Sequence, residues 1–274
     1  MKGKSLCLCT LSILFGLTAC GGTDQTDSAT YTMIVAVESA AGRDLQYGAL
    51  WIYLPNKATT SAVNVQGIDG RILDDNAGNR QYAVTLDQVP VGYSAQMTIK
   101  FQSEDLQSDQ TTTPQRYVQP EPLIEADATE IVQKSRALQG VGVTQSVGKI
   151  RDAIAELTVA PATNADTDAA IRGAKQTLTS GQAAVPADLR LLEAALLRAM
   201  DIPSRLVAGF ADQGDGALTT AEMTIWTEYH DGDAWRPLAD GAKPITFRVF
   251  ASASEIEAEL NMNFYRTVGL SANI

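Results

Sequence analysis

Apolar positions along the first third of the chain come in short runs. Thr32 to Glu38 is brief, apolar and β-branched, and Ala49 to Leu54 contains Leu-Trp-Ile-Tyr-Leu and stops at Pro55. Tyr82 to Leu86 and Ala95 to Phe101 alternate apolar with polar residues, the period of a strand that buries one face. Turn-forming residues separate these runs at Gly42, Pro55-Asn56, Gly67 to Gly70, Asn76 to Asn79 and Pro90 to Gly92. Short strands with regular turn signals predict a small β-sandwich over residues 31–103.

The period then changes. Residues 104–126 are polar, contain Pro114, Pro120 and Pro122, and read as a linker. Asp127 with Glu130 resembles a capping box, with Asp in place of Ser or Thr, ahead of a helix running to about Leu138. Val147, Ile150, Ile154 and Leu157 fall at helical spacing, and 158–168 reads as a loop. Leu189, Leu192, Leu196 and Met200 mark another helix, which starts near Pro186 because proline fits the first helical turn. Ile202 to Phe210, Met223 to Tyr229, Trp235 to Leu238 and Ile245 to Phe250 read as strands. A last helix is expected from Ala253 to about Thr267, with Ile256, Leu260 and Phe264 on one side. The fold class is therefore α+β, with the β-sandwich followed by helices packed on an antiparallel sheet over 127–250 and a C-terminal helix and tail over 251–274.

The first residues add a compartment. Lys2 and Lys4 precede an apolar run from Leu6 to Leu17, which is too short to span a bilayer. Leu17-Thr18-Ala19-Cys20 follows, so residues 1–19 read as a signal peptide. The ending resembles the lipobox of bacterial lipoproteins. That resemblance implies a lipidated Cys20 as the new N-terminus and a membrane reached through its acyl chains, with residues 20–30, rich in Gly, Thr, Asp, Gln and Ser, as a flexible tether. Gly21, where an aspartate would retain the protein in the inner membrane, implies the outer membrane and its periplasmic face.

Composition then removes whole classes of chemistry. The cysteines are Cys7, Cys9 and Cys20, and the single histidine is His230. Once the signal is cut, the folded part has no disulfide, no free thiol and no site built on two histidines, and no metal or cofactor is expected. The net charge of −11 becomes −13 on signal removal, because Lys2 and Lys4 are lost and no acid is. Such a surface repels phosphate backbones, so no nucleic-acid partner is expected.

One segment is familiar. Leu197-Arg198-Ala199-Met200-Asp201-Ile202-Pro203-Ser204-Arg205 and the strand through Gly209-Phe210 resemble the transglutaminase-like superfamily, where a helix ends in Leu-Arg-Ala-Leu-Gly-Ile-Pro-Ala-Arg before a strand and a Gly-aromatic pair. Thr224-Ile225-Trp226-Thr227-Glu228-Tyr229 resembles the family's His-Ala-Trp-x-Glu-Val, and Asp233 to Asp240 its Gly-Trp-x-x-x-Asp. Trp226 to Gly232 is also similar to bacterial inactive transglutaminase-like domains that lack the histidine. Leu50 to Pro55, Gly78-Asn79-Arg80 and Tyr117 to Ile124 resemble the β-region that often precedes such domains. The resemblance implies a papain-like core for 127–250.

An active member of that family needs a cysteine at a helix N-terminus, a histidine on the neighbouring strand and a carboxylate on the next. By the resemblance these positions fall at Val185 or Pro186, at Thr224, and at Ala239 or Asp240. Thiol catalysis is therefore not expected, and His230, beyond the expected strand end in a Tyr-His-Asp-Gly turn, does not replace the missing base. The reading is a non-catalytic module that binds a peptide or protein in the periplasm. Trp226, Glu228, Trp235 and Arg205 would line a remnant groove, or else be core tryptophans and an arginine paired to a structural acid. The alternative is a peptidase or amidase with a non-cysteine nucleophile, Ser180 or Thr179. Asp74-Asp75 and Asp212 to Gly216 read as acidic turns rather than calcium loops, since the second lacks a closing glutamate.

Overall fold

The computed structural model describes residues 30–38, 44, 46–57, 60, 62–102, 114–160, 171–211, 216–217, 223–239, 244–259, 265–268 and 271–273. The elements run β1 (Thr30–Glu38), β2 (Gly48–Leu54), β3 (Val63–Gln66), β4 (Arg71–Asp74), β5 (Arg80–Leu86) and β6 (Ser94–Gln102), then a 3-10 turn at Pro114–Val118. After these come α1 (Thr129–Leu138), α2 (Val143–Ala155), β7 (Thr158–Val159), α3 (Ala174–Ser180), β8 (Gln182–Ala183) and α4 (Pro186–Arg198). The chain continues through β9 (Ser204–Ala211), β10 (Gly216–Ala217), β11 (Thr224–His230), β12 (Trp235–Pro237), β13 (Pro244–Val249), α5 (Ala253–Glu259), β14 (Tyr265–Val268) and β15 (Ser271–Asn273).

Alternation along β1 sends Tyr31, Met33, Val35 and Val37 inward, and β6 answers with Met97, Ile99 and Phe101. Opposite them lie Leu50, Ile52 and Leu54 of β2 with Tyr82 and Val84 of β5. Two sheets therefore face each other as a sandwich, one ordered β10-β1-β6-β3 with β15 also on β1, the other β14-β2-β5-β4. The expected strands are all present. The short β3 and β4 are not among the expected strands: β3 alternates over only four residues, and β4 is exposed throughout and does not alternate.

The second half is helical on one side of a sheet ordered β12-β11-β9-β13. Its centre is α4, where every residue from Ala187 to Arg198 is buried except the half-buried Arg190. A helix apolar on nearly all sides must be wrapped, and α1, α2, α3, β9 and β11 all pack against it. Pro186 opens it at the first helical position, as expected. The capping expectation at α1 is corrected: the cap residue is Ala128, which makes no side-chain cap bond, and Asp127 lies before it. Packing of Ile131, fully buried, holds that helix start instead.

The halves are not beads on a string. Tyr31, Phe101, Phe247 and Phe210 form a chain of ring contacts at 5.4, 5.8 and 5.1 Å, which joins the sandwich to the second core. Asn79 acts as a one-residue strand on the edge of β13: its amide Nδ2 donates to Val249 O at 2.9 Å, and its Oδ1 accepts from Val249 N at 2.7 Å. The segment expected as linker is partly structured, with Tyr117 and Ile124 buried. Arg198 holds it by donating to Gln119 O at 2.8 Å and to Glu121 at 2.7 Å. The C-terminal segment also differs from expectation. Only α5 is helical, after which β14 pairs with β2 and β15 with β1, so the tail supplies strands to both sheets of the sandwich. Leu260 and Phe264 of the expected helix lie outside the described residues.

Candidate functional site

The positions singled out on α4, β11 and the residues after β12 lie toward one end of the second sheet. Val185 is the N-cap of α4 and Pro186 its exposed first residue. The hydroxyl of Thr227 reaches Arg190 O, while Ser204, paired across the sheet with Tyr229, donates to Ala194 O. β11 thus advances in step with α4, and Thr224, its exposed first residue, lies toward the N-terminal end of the helix. Leu238 N donates to Thr227 O at 2.8 Å, which brings the exposed Ala239 alongside β11. Asp240 and Cys20 lie outside the described residues.

A buried carboxylate holds that helix end. Asp188, at 0 % exposure, accepts from Arg172 N at 2.8 Å and Gly173 N at 3.3 Å through one oxygen. Its other oxygen accepts from Ala184 N at 2.8 Å and Val185 N at 3.2 Å. Its own N–H donates to Val185 O at 3.0 Å. A helix N-terminus attracts anions because its first amides are unpaired and its dipole is positive. Here Pro186 has no N–H, and Asp188 already supplies a negative charge and takes up the preceding amides.

Two turns into α4 sits a second buried carboxylate. Glu193, 2 % exposed, accepts from the Thr227 hydroxyl at 2.6 Å and pairs with Arg190. Burial pushes its carboxyl above the usual range, against the opposing pull of Arg190 and of the hydrogen bonds from Thr227 and Arg190. Arg190 keeps 27 % of its side chain exposed. Arg151 of α2 approaches the same corner, 3.4 Å from Leu238 O.

The residues expected to line a groove are instead packed on the sheet face away from α4. Arg205 donates to Glu228 at 2.8 Å, with side chains only 2 % and 7 % exposed. Its guanidinium lies 4.1 Å over the Trp235 ring, which Tyr117 and His230 meet edge-on, both at 5.4 Å. Trp226 packs with Val207, Val249 and Ala77. In these contacts Arg205 and Glu228 are ion-pair partners, and Trp226 is a packed residue of the sheet face. His230 is the last residue of β11, opposite Trp235, rather than beyond the strand, and its Nδ1 accepts from Gly232 N.

The remaining candidates are used structurally. Ser180 donates to Gln182 O at 2.8 Å and Thr179 to Lys175 O at 3.0 Å. Asp75 accepts from Ala77 N at 2.8 Å and Asn79 N at 2.9 Å, which shapes the turn that presents Asn79, while Asp74 pairs with Lys57. The acidic turn at 212–216 lies almost wholly outside the described residues. Among the described residues no group of three or more His, Cys, Asp or Glu gathers at one point, and no helix is long and apolar enough to cross a membrane. The sequence pattern did not mark Asp188, Arg190 or Glu193, and gave Asn79 only as a turn residue in a family-like stretch. Asp188 was accessible, since an acid three residues after an N-cap is a capping signal. A lone Glu193 inside an apolar stripe was a second such mark.

Residues 134–239 match the family model of the transglutaminase-like superfamily. Among solved structures, a candidate cysteine protease of Cytophaga hutchinsonii is 13% identical, with a TM-score of 0.55 over 91% of this chain and 89% of that one. The periplasmic domain of TgpA from Pseudomonas aeruginosa is 17% identical, with a TM-score of 0.36 over 78% of this chain and 89% of that one. No curated protein matches the chain.

Proposed function

Because residues 134–239 form a transglutaminase-like domain, we propose that the chain is a catalytically silent member of that superfamily which holds a peptide or protein. In this proposal it is tied to the periplasmic face of the outer membrane through lipid on Cys20. The observation that supports silence best is the start of α4. Where a family thiol would sit, at Val185 or Pro186, neither side chain is a nucleophile, Pro186 has no N–H, and Asp188 takes the neighbouring amides. Thr224 offers no imidazole in place of the base, and no cysteine follows Cys20. Loss of any one member of such a unit costs orders of magnitude in rate. A hydroxyl nucleophile finds no support, since Ser180 and Thr179 donate to backbone carbonyls and, among the described residues, no base bonds to them.

The purified chain is assayed for incorporation of an amine into casein and for hydrolysis of a fluorogenic peptide set. The expected rate is that of buffer. Turnover that disappears in Ser180→Ala or Thr224→Ala would overturn the reading. Holding is tested in cells by placing a photo-crosslinking residue at 224, with position 141 as control. A discrete adduct from 224 alone is expected, and equal labelling at both sinks the idea. Anchoring predicts lipid label on the wild type and none on Cys20→Ala.

A further inference from the structure

We infer that the vacated catalytic corner is a carboxylate-binding site, in which Arg190, oriented by the buried Glu193, receives the free C-terminal carboxylate of a peptide. The inference rests on the peptide-holding reading above and gives it a chemical class.

Position comes first. Arg190 is four residues after the exposed Pro186, and residues four apart share one face of a helix. Arg190 is thus one helical turn beyond Pro186, and its backbone oxygen accepts from Thr227 of the strand whose first residue is Thr224. Orientation comes next. Arg190 bonds Glu193, Glu193 accepts from Thr227, and Thr227 also reaches the backbone oxygen of Arg190. This closed set of contacts links helix to strand and fixes the base of the arginine, as a binding group must be fixed to be selective.

Spare capacity comes third. A guanidinium has five N–H donors in a planar fork. Among the described residues one nitrogen of Arg190 is engaged by a side chain, and 27 % of the side chain is still open to solvent. A planar fork matches a carboxylate two bonds at a time. Arg151 brings a second guanidinium beside Leu238, the residue whose N–H bonds Thr227 O. The net charge of −11 disfavours polyanions at long range, so a singly charged terminus suits the site better than a phosphate polymer.

The test uses the full chain and three fluorescein-labelled peptides, read by anisotropy. One is pentaalanine with a free C-terminal carboxylate, the second its C-terminal amide, and the third the amide with one central glutamate. The free-carboxylate peptide should bind at least about tenfold more tightly than the amide, a ratio set by hydrogen bonds to a charged group. Arg190→Gln should abolish that ratio. Arg190→Lys should keep part of it, since charge survives but the fork does not. Because Arg190→Gln leaves Glu193 buried without its partner, the double variant Arg190→Gln/Glu193→Gln, checked by circular dichroism, is measured beside it and should behave the same.

Equal binding of the free-carboxylate and amide peptides by the wild type, with no change in the variants, would overturn the carboxylate site and leave peptide holding intact. Preference for the glutamate peptide over the free terminus would also overturn the inference, by assigning the site to acidic side chains. Failure of all three peptides to bind at millimolar concentration would remove both readings.

Discussion

Replacing Asp188 by Asn tests whether the emptied helix end is held by one carboxylate. Four backbone N–H groups converge on it at 2.8 to 3.3 Å, and no surface of the residue reaches solvent to replace them. Asparagine keeps one oxygen, enough for the Arg172 and Gly173 pair. Its NH₂ then faces the N–H groups of Ala184 and Val185, donor against donor. Two charge-assisted bonds are lost at about 1.5–2 kcal/mol each, so a loss of about 3–4 kcal/mol is expected. For a chain of this size that is on the order of 10 °C in melting temperature. Urea unfolding followed by tryptophan fluorescence measures it, since Trp226 and Trp235 both lie on the second sheet. Asp188→Glu, which keeps the charge but lengthens the arm, should fall between. A change below about 1 kcal/mol for Asp188→Asn would refute the reasoning, because the amides would then have other acceptors.

Other consequences are open to measurement. Burial raises the folded-state pKa of Glu193 above its unfolded value, so its contribution is complete below the unfolded carboxylate range of about 4.3 and is lost as pH rises through the folded value. Glu193→Gln does not titrate there. Its stability relative to wild type should improve as pH rises above about 4.3, and a flat or falling difference counts against that sign. Asn79→Ala removes the acceptor and donor that pair with Val249 N and O, and one of the acceptors of the Asn56 amide, and should cost about 2–4 kcal/mol in urea unfolding; a loss within about 0.5 would show that the β13 edge needs no clamp. Asp201 has φ 57° at the end of α4, where family sequences place glycine. Asp201→Gly should stabilise by about 0.5 kcal/mol, strain relief exceeding the added chain entropy, and a net loss would argue against strain there.

The sequence by itself determined much of this protein. Short apolar runs placed β1 and β2, alternation placed β5 and β6, and a Leu192-Leu196 stripe behind Pro186 placed α4. A residue count alone removed thiol chemistry from everything after Cys20. These features are local: a strand's period, a proline's missing N–H and a residue's identity need no partner to be read. What only the tertiary structure decided is where side chains separated along the chain spend their polar groups. Arg205 and Glu228 meet because β9 and β11 pair in one register, and that pairing turns a supposed groove into a packed face. β14 and β15 form because β2 and β1 offer them open edges, β14 against a local pattern that favoured helix to about Thr267. Arg190 became a candidate ligand only once Thr227 and Glu193 were seen to orient it. Hydrogen-bond satisfaction in a buried interface depends on the whole surrounding set of donors and acceptors, and no local pattern encodes that set.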